Sequence, residues 1–247
     1  MIFETCEVGT DSRVVFSRPF VDGDVGGKAV NVASCLSDFH IRTAVTGQIG
    51  RDNAALFEEL FQRKKIANHC CYLDGLTRIN SKLVDTVSGD TTDLNMPGPE
   101  FTSATAKDLL DQVLRRLDQL AGHVQWIVLS GSLPPGMPAD TYATITRQVQ
   151  AAGGAVVLDT SGAPLKAALA AGPKIVKPNR HELAELVGRP LDTLDALITT
   201  GRELLAATPA PDLVVVSLGE DGALFLNREQ AVQALPIQMT VSSPGGA

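Results

Sequence analysis

Residues 124–159 read "VQWIVLSGSLPPGMPADTYATITRQVQAAGGAVVLD". The run Val124 to Ser130 is short, apolar and rich in branched side chains, as a buried strand is. Gly131, Pro134, Pro135 and Gly136 break it, and "ADTYATITRQVQAAGG" (139–154) reads as a helix ended by Gly153-Gly154. "AVVLD" (155–159) is the next strand. A strand, a turn, a helix and a second strand at this spacing form a crossover unit, whose two strands run parallel.

The alternation continues on both sides of this stretch. Downstream, "PLKAALAAG" (164–172) is a short helix, "KIVK" (174–177) a strand and "RHELAELVG" (180–188) a helix closed by Gly188. "LDALITTGRELLAA" (194–207) is another helix and "DLVVVSLG" (212–219) another strand. Upstream, Ala106, Leu109, Leu110, Val113, Leu114, Leu117 and Leu120 recur at helical spacing. "AVNVASCLSDF" (29–39) and "NAALFEELFQRK" (53–64) are helices flanking "TAVTGQIG" (43–50). The pattern predicts an α/β fold with a mostly parallel sheet, flanked by helices on both faces and gathering ligands at the carboxyl ends of its strands. "RINSKLVDTVSGDTTDLN" (78–95) alternates instead and turns at Ser88-Gly89-Asp90, which predicts a hairpin projecting from that sheet.

The 247 residues suffice for one large domain without disulfide support. A net charge of −7 excludes the broad basic field that nucleic acid or an anionic membrane needs, so neither is an expected partner. Cys6, Cys35, Cys70 and Cys71 form no C-x-x-C pattern and read as reduced thiols. The amino-terminal stretch has no basic segment followed by an apolar one, and no apolar run approaches the ~20 residues of a membrane helix. A cytoplasmic protein is the expectation.

Several polar clusters fall at predicted strand ends, and each has two readings. In "VKPNRHELAEL" (176–186), Asn179 and Glu182 have the spacing of a helix capping box. The same amide and carboxylate, with Lys177, also suit hydrated Mg²⁺ and nucleotide phosphates. His181-Glu182 opens a zinc-protease pattern that Glu185 then breaks. "SLGEDGALFL" (217–226) is either a glycine-rich hairpin or a place where Ser217, Gly219 and Gly222 let backbone approach a nucleotide. Gly26-Gly27-Lys28 before a helix is a simple turn or a receiver of sugar and phosphate oxygens. Arg78, Asn80 and Lys82 alternate along one strand face, which is solvated or cradles an anion. Ser130 and Ser132 are small hydroxyl residues that tolerate close ligand approach.

Taken in order, "GGK-A-VNVA", "GQIGRDN", "TRIN-K", "SGSLPPG", "KPN-x-x-E", "SLG-x-x-G" and the closing Gly-Gly-Ala resemble the phosphofructokinase B family of ribokinase-like sugar kinases. The resemblance covers Gly26 to the last residue as one incomplete domain, 1–247, with lid elements near 12–25 and 77–96. Within the family, the wording is most similar to members that phosphorylate fructose 1-phosphate to the 1,6-bisphosphate, with tagatose 6-phosphate as the next substrate. It implies ATP and Mg²⁺ as cofactors, a sugar phosphate as the small-molecule partner, and a homodimer through the lid. A non-catalytic sugar-phosphate or nucleotide binding protein is the alternative reading.

Carried over by residue, the resemblance implies that Gly26, Gly27, Lys28 and Asn31 hold sugar hydroxyls. Arg78, Asn80 and Lys82 would hold the sugar's phosphate, and Ser130 and Ser132 would line the sugar pocket. Lys177, Asn179 and Glu182 would serve Mg²⁺-ATP, the last two reaching the metal through water, and Ser217, Gly219 and Gly222 the nucleotide. Family members close the last strand with a Gly-Ala-Gly-Asp turn that binds the transferring phosphate and carries the base. Gly245, Gly246 and Ala247 supply a partial anion hole, and the base lies beyond them, so an inactive chain is expected. Ala29 stands where the family has a third glycine. Asp11 is the candidate for the family's sugar-binding aspartate, although only the 14 residues Ser12 to Val25 separate it from Gly26.

Overall fold

The computed structural model describes residues 2–8, 24–85, 91–120, 122 and 124–236. They belong to two compact units, Met1–Arg116 with Pro134–Met137, and Leu117–Leu133 with Pro138–Ala247. Asp11, most of the lid segment expected at 12–25, the turn Ser88 to Asp90, and Gly245 to Ala247 lie outside the described residues.

The first unit contains, in chain order, β1 (Ile2–Val8), β2 (Asp24–Val25), α1 (Lys28–Asp38), β3 (Ala44–Val45), β4 (Gln48–Gly50), α2 (Ala54–Lys64), β5 (Ala67–Asn68), β6 (Cys71–Leu73), β7 (Ile79–Asp85), β8 (Thr91–Asn95) and most of α3 (Ser103–Leu120). Its largest sheet has the order β2-β1-β7-β8. β7 and β8 pair antiparallel, from Asn80 opposite Asn95 to Val84 opposite Thr91, so the hairpin expected for 78–95 is formed. β1 lies parallel to β7, with Ile2 opposite Ile79, and Ile2 also faces Val25 of β2. β8 is an edge strand on which Leu94 is exposed, as is Met96 just beyond it. Two further strand pairs, β3 with β5 and β4 with β6, are parallel.

The cores of this unit follow helical spacing. Phe57, Leu60 and Phe61 recur on one side of α2, and all three are buried. Phe57 and Phe61 pack with ring centroids 6.4 Å apart beside Ala33, Val45, Ile49 and Ile66. Val25, Val30 and Ile79 pack against this cluster, fixing the start of β7 and the approach to α1 on one apolar base. Phe101, Ala106 and Leu109 form a second cluster with Cys71.

The second unit contains β9 (Trp126–Ser130), α4 (Thr141–Ala151), β10 (Ala155–Asp159), α5 (Gly162–Leu169), β11 (Ile175–Val176), α6 (Arg180–Val187), α7 (Leu194–Ala206), β12 (Leu213–Ser217), β13 (Ala223–Leu226) and β14 (Ala231–Ala234). The six strands lie in the order β14-β13-β12-β11-β10-β9. β9 to β12 are mutually parallel, as the alternation predicts, while β13 and β14 return antiparallel. Strand β11 keeps only the two central residues of "KIVK".

Consecutive crossovers in one direction place their helices on one side of a sheet, because each crossover is right-handed. Burial follows this rule, so within this unit the described helices cover one face of the sheet and not the two faces that the alternation predicts. Val156, Leu158, Val176, Val214, Val216, Leu224 and Leu226 share one face by register and are at most 1% exposed. Each contributes about 1.5–3 kcal/mol when fully buried. On the other face, Val157 and Val215 are half-buried, and Trp126, Phe225 and Val232 are exposed. Among the described residues no helix is long and apolar enough to cross a membrane.

Candidate active site

The second unit carries its polar groups where its parallel strands end. Ser130 closes β9 and Asp159 closes β10, facing each other in register. Lys177 follows β11, and Ser217 closes β12 with Asn179 in a bridge beside it. Three of these side chains meet. Lys177 Nζ lies 3.2 Å from Asp159 Oδ1, and the Ser130 hydroxyl donates to Asp159 Oδ2 at 3.3 Å. The Asp159 side chain is 10% exposed and that of Lys177 38%. Burying a carboxylate is costly, and such partners offset part of that cost.

The loop after Ser130 is held from beneath. Gly131, at φ 98°, donates its N–H to Asp159 O at 2.9 Å, a conformation that favours glycine. Its carbonyl accepts from the Tyr142 hydroxyl at 3.1 Å and from the Thr160 hydroxyl at 2.9 Å. Burial, and after it the Asp159 charge, push the Tyr142 phenol up to about 12. It therefore stays a hydrogen-bond donor at neutral pH. Ser132, one residue on, is exposed.

Asn179 and Glu182 form a complete capping box at the start of α6. The Asn179 carboxamide oxygen accepts from Glu182 N at 2.8 Å, and Glu182 Oε2 accepts from Asn179 N at 2.8 Å. The structural reading of the pair is thus realised, and it leaves a carboxylate at the positive end of a helix. The stretch 217–226 is likewise the hairpin that one reading predicts. Ser217 N bonds Pro178 O at 3.1 Å, Gly219 has φ 63° and Gly222 φ 87°. A Cβ on Gly222 would lie 2.0 Å from Ala234 O, so turn geometry alone requires glycine there.

In the first unit, Gly26, Gly27 and Lys28 lead into α1, with Gly27 at φ 139°. Gly27 O accepts from Asn31 N at 2.8 Å, and the Asn31 and Lys28 side chains are exposed. Val25 and Ile79 flank Ile2 from either side, which brings this turn and the entry to β7 to the same end of one sheet. Arg78 is half-buried just before β7, and Asn80 is 5% exposed within it. Asn80 and Lys82 alternate on β7, opposite Asn95 and Asp93.

Asp159, Tyr142 and Thr160 are the residues that reading along the chain misses. Asp159 carries the one available signal, a carboxylate ending an apolar parallel strand where ligands collect. Tyr142 and Thr160 act through pairings that no local pattern reports. A hollow lined by Leu117, Leu120, Val124, Ile127, Val149 and Ala152 lies at the amino ends of β9 and β10. It is mainly apolar and lies away from these polar groups.

The chain matches the family model described as pfkB family carbohydrate kinase over residues 21–247. It is 44% identical over 231 residues to the 1-phosphofructokinase of Xanthomonas campestris pv. campestris, covering 92% of this chain and 71% of that protein. To the 1-phosphofructokinase of Rhodobacter capsulatus it is 42% identical over 240 residues, covering 96% and 72%. The solved structure of phosphofructokinase-2 from Escherichia coli in complex with fructose-6-phosphate aligns with a TM-score of 0.85 at 26% identity, over 99% of this chain and 79% of that one.

Proposed function

The chain belongs to the pfkB family of carbohydrate kinases, and we propose that within it the substrate is a ketohexose phosphate, fructose 1-phosphate ahead of tagatose 6-phosphate. The γ-phosphoryl group of ATP moves to the free primary hydroxyl, giving fructose 1,6-bisphosphate and ADP and releasing the hydroxyl proton. The observation that carries this reading is the placing of Arg78 at the entry to β7, at the same sheet end as the Gly26-Gly27-Lys28 turn. A kinase acting on an uncharged sugar has no use for a guanidinium there. A sugar that already bears a phosphate does, because a planar guanidinium bonds two phosphate oxygens at once.

In this reading Arg78, Asn80 and Lys82 hold the substrate's phosphate, while Gly26, Gly27, Lys28 and Asn31 orient the sugar. Lys177 neutralises nucleotide phosphate charge, and Ser217, Gly219 and Gly222 let the backbone approach the nucleotide. Among the described residues, no group of three or more His, Cys, Asp or Glu could ligate a metal ion directly. The oxygen-only donors Asp159, Asn179 and Glu182 fit Mg²⁺, a hard cation that keeps several waters and takes one or two carboxylates beside substrate phosphates. When bound, Mg²⁺ supplies neutralisation of the phosphate charge. Asn179 and Glu182 would reach its waters, and their capping bonds fix both side chains in advance of binding.

The test is an ADP-release assay with Mg²⁺-ATP and, in turn, fructose 1-phosphate, tagatose 6-phosphate and fructose 6-phosphate. Turnover, however slow in a chain expected to be inactive, should be fastest with fructose 1-phosphate. Equal or faster turnover with tagatose 6-phosphate would reassign the substrate. Saturable binding of fructose 1-phosphate without turnover of any sugar fits both the expected inactive chain and the non-catalytic binding protein.

A further inference from the structure

We propose that Asn53 is a positioning residue that fixes the entry to β7, and through it the direction in which Arg78 and Asn80 meet a sugar phosphate. The inference rests on the phosphate-holding role proposed for Arg78. Asn53 ends "GQIGRDN" (47–53), a segment to which the site described above gives no task.

The carboxamide of Asn53 clamps the backbone of Thr77 from both sides. Its Nδ2 donates to Thr77 O at 3.0 Å, and its Oδ1 accepts from Thr77 N at 2.9 Å. The residues before it join the same contact. Gly50 N donates to Thr77 Oγ1 at 2.8 Å, and Asp52 N donates to Gly75 O at 3.1 Å. The two backbones are so close that a Cβ on Gly50 would lie 2.2 Å from Thr77 N and 2.4 Å from Gly75 O. Arg51 and Asp74 pair at 3.3 Å over the outside of this contact, but both are largely exposed and the pair adds little.

Thr77 immediately precedes Arg78. On the other side of Arg78, Ile79 packs against the Phe57 and Phe61 cluster and opens β7 opposite Ile2. Arg78 is therefore held between two fixed points, one polar and one apolar. Of these, only the clamp sets the peptide plane leading into it. Four hydrogen bonds and a steric fit converge on three residues, Gly75 to Thr77, that contain no charged side chain. A loop needing only to be closed has no use for so many, whereas a loop that must aim the next side chain does. Pre-organising a binding group in this way removes an ordering cost from ligand binding.

The experiment titrates the wild-type chain, Asn53→Ala, Thr77→Val and Arg78→Ala by calorimetry, separately with fructose 1-phosphate and with ATP, and records a thermal melt for each. Asn53→Ala should weaken fructose 1-phosphate binding about tenfold, the lower end of what losing a charge-assisted phosphate contact costs, and leave ATP affinity within twofold. Thr77→Val keeps both carboxamide bonds and removes only the acceptor for Gly50 N. It should give a smaller loss of the same selectivity, and it decides the matter if Asn53→Ala does not fold. Unchanged fructose 1-phosphate affinity in the Asn53 or Thr77 variant, with a loss in Arg78→Ala, overturns this inference alone. An equal loss for both ligands with a lowered melting temperature also overturns it, since the clamp is then general scaffolding. No loss in Arg78→Ala removes the phosphate-holding role and this inference together.

Discussion

Arg78→Ala should lower the affinity for fructose 1-phosphate ten- to a hundredfold while leaving that for ATP within twofold. The magnitude follows from removing a charge-assisted hydrogen-bonding group from a phosphate, which costs roughly 1.5–3 kcal/mol, or about one to two powers of ten in affinity. The selectivity follows from where the residue sits. Arg78 belongs to the unit that holds Gly26 to Asn31, whereas Lys177, Asn179, Glu182 and Ser217 belong to the other. Arg78→Lys tests the geometry further. It keeps the charge but loses the planar fork, so it should recover only part of the affinity. Equal weakening of both ligands by Arg78→Ala would contradict the assignment.

Glu182→Gln should raise the Mg²⁺ concentration needed for half-maximal ATP binding by about tenfold, the loss of one charged donor to hydrated metal. The melting temperature should fall only slightly. Glutamine can accept from Asn179 N as Glu182 Oε2 does, so the capping box persists. What the substitution removes from folding is a favourable charge at the start of α6, about 0.3–1 kcal/mol. The two roles of the residue are therefore separable. A Mg²⁺ titration of the wild-type chain and the variant at fixed ATP decides between them. An unchanged Mg²⁺ requirement would leave Glu182 as a cap and nothing more.

The parts of this molecule legible along the chain are those governed by local rules. The opening stretch yields β9, α4 and β10 within a residue or two, because helical and strand periods differ and glycine ends the helix. The Asn179 and Glu182 box is equally local, three residues apart. Strands β3 to β6 are not legible, since two or three residues carry no period. Nor is the geometry around Asp159, which joins Ser130, Lys177 and Gly131 across three strand ends. The Asn53 clamp spans 24 residues of sequence, and the motif containing Asn53 gives no hint of its partner. The hairpin reading of 217–226 and the capping reading of 179–182 are both satisfied by the backbone. Any ligand role of these residues is therefore additional to a structural one.

On the proposed function, recognition of the sugar runs through the phosphate it already carries. The most direct measurement is a calorimetric titration of the wild-type chain with fructose 1-phosphate and, under identical conditions, with fructose. Fructose 1-phosphate should bind saturably and at least about tenfold tighter than fructose, the least that one charge-assisted phosphate contact supplies. Equal affinity for the two, or tighter binding of the uncharged sugar, would contradict it.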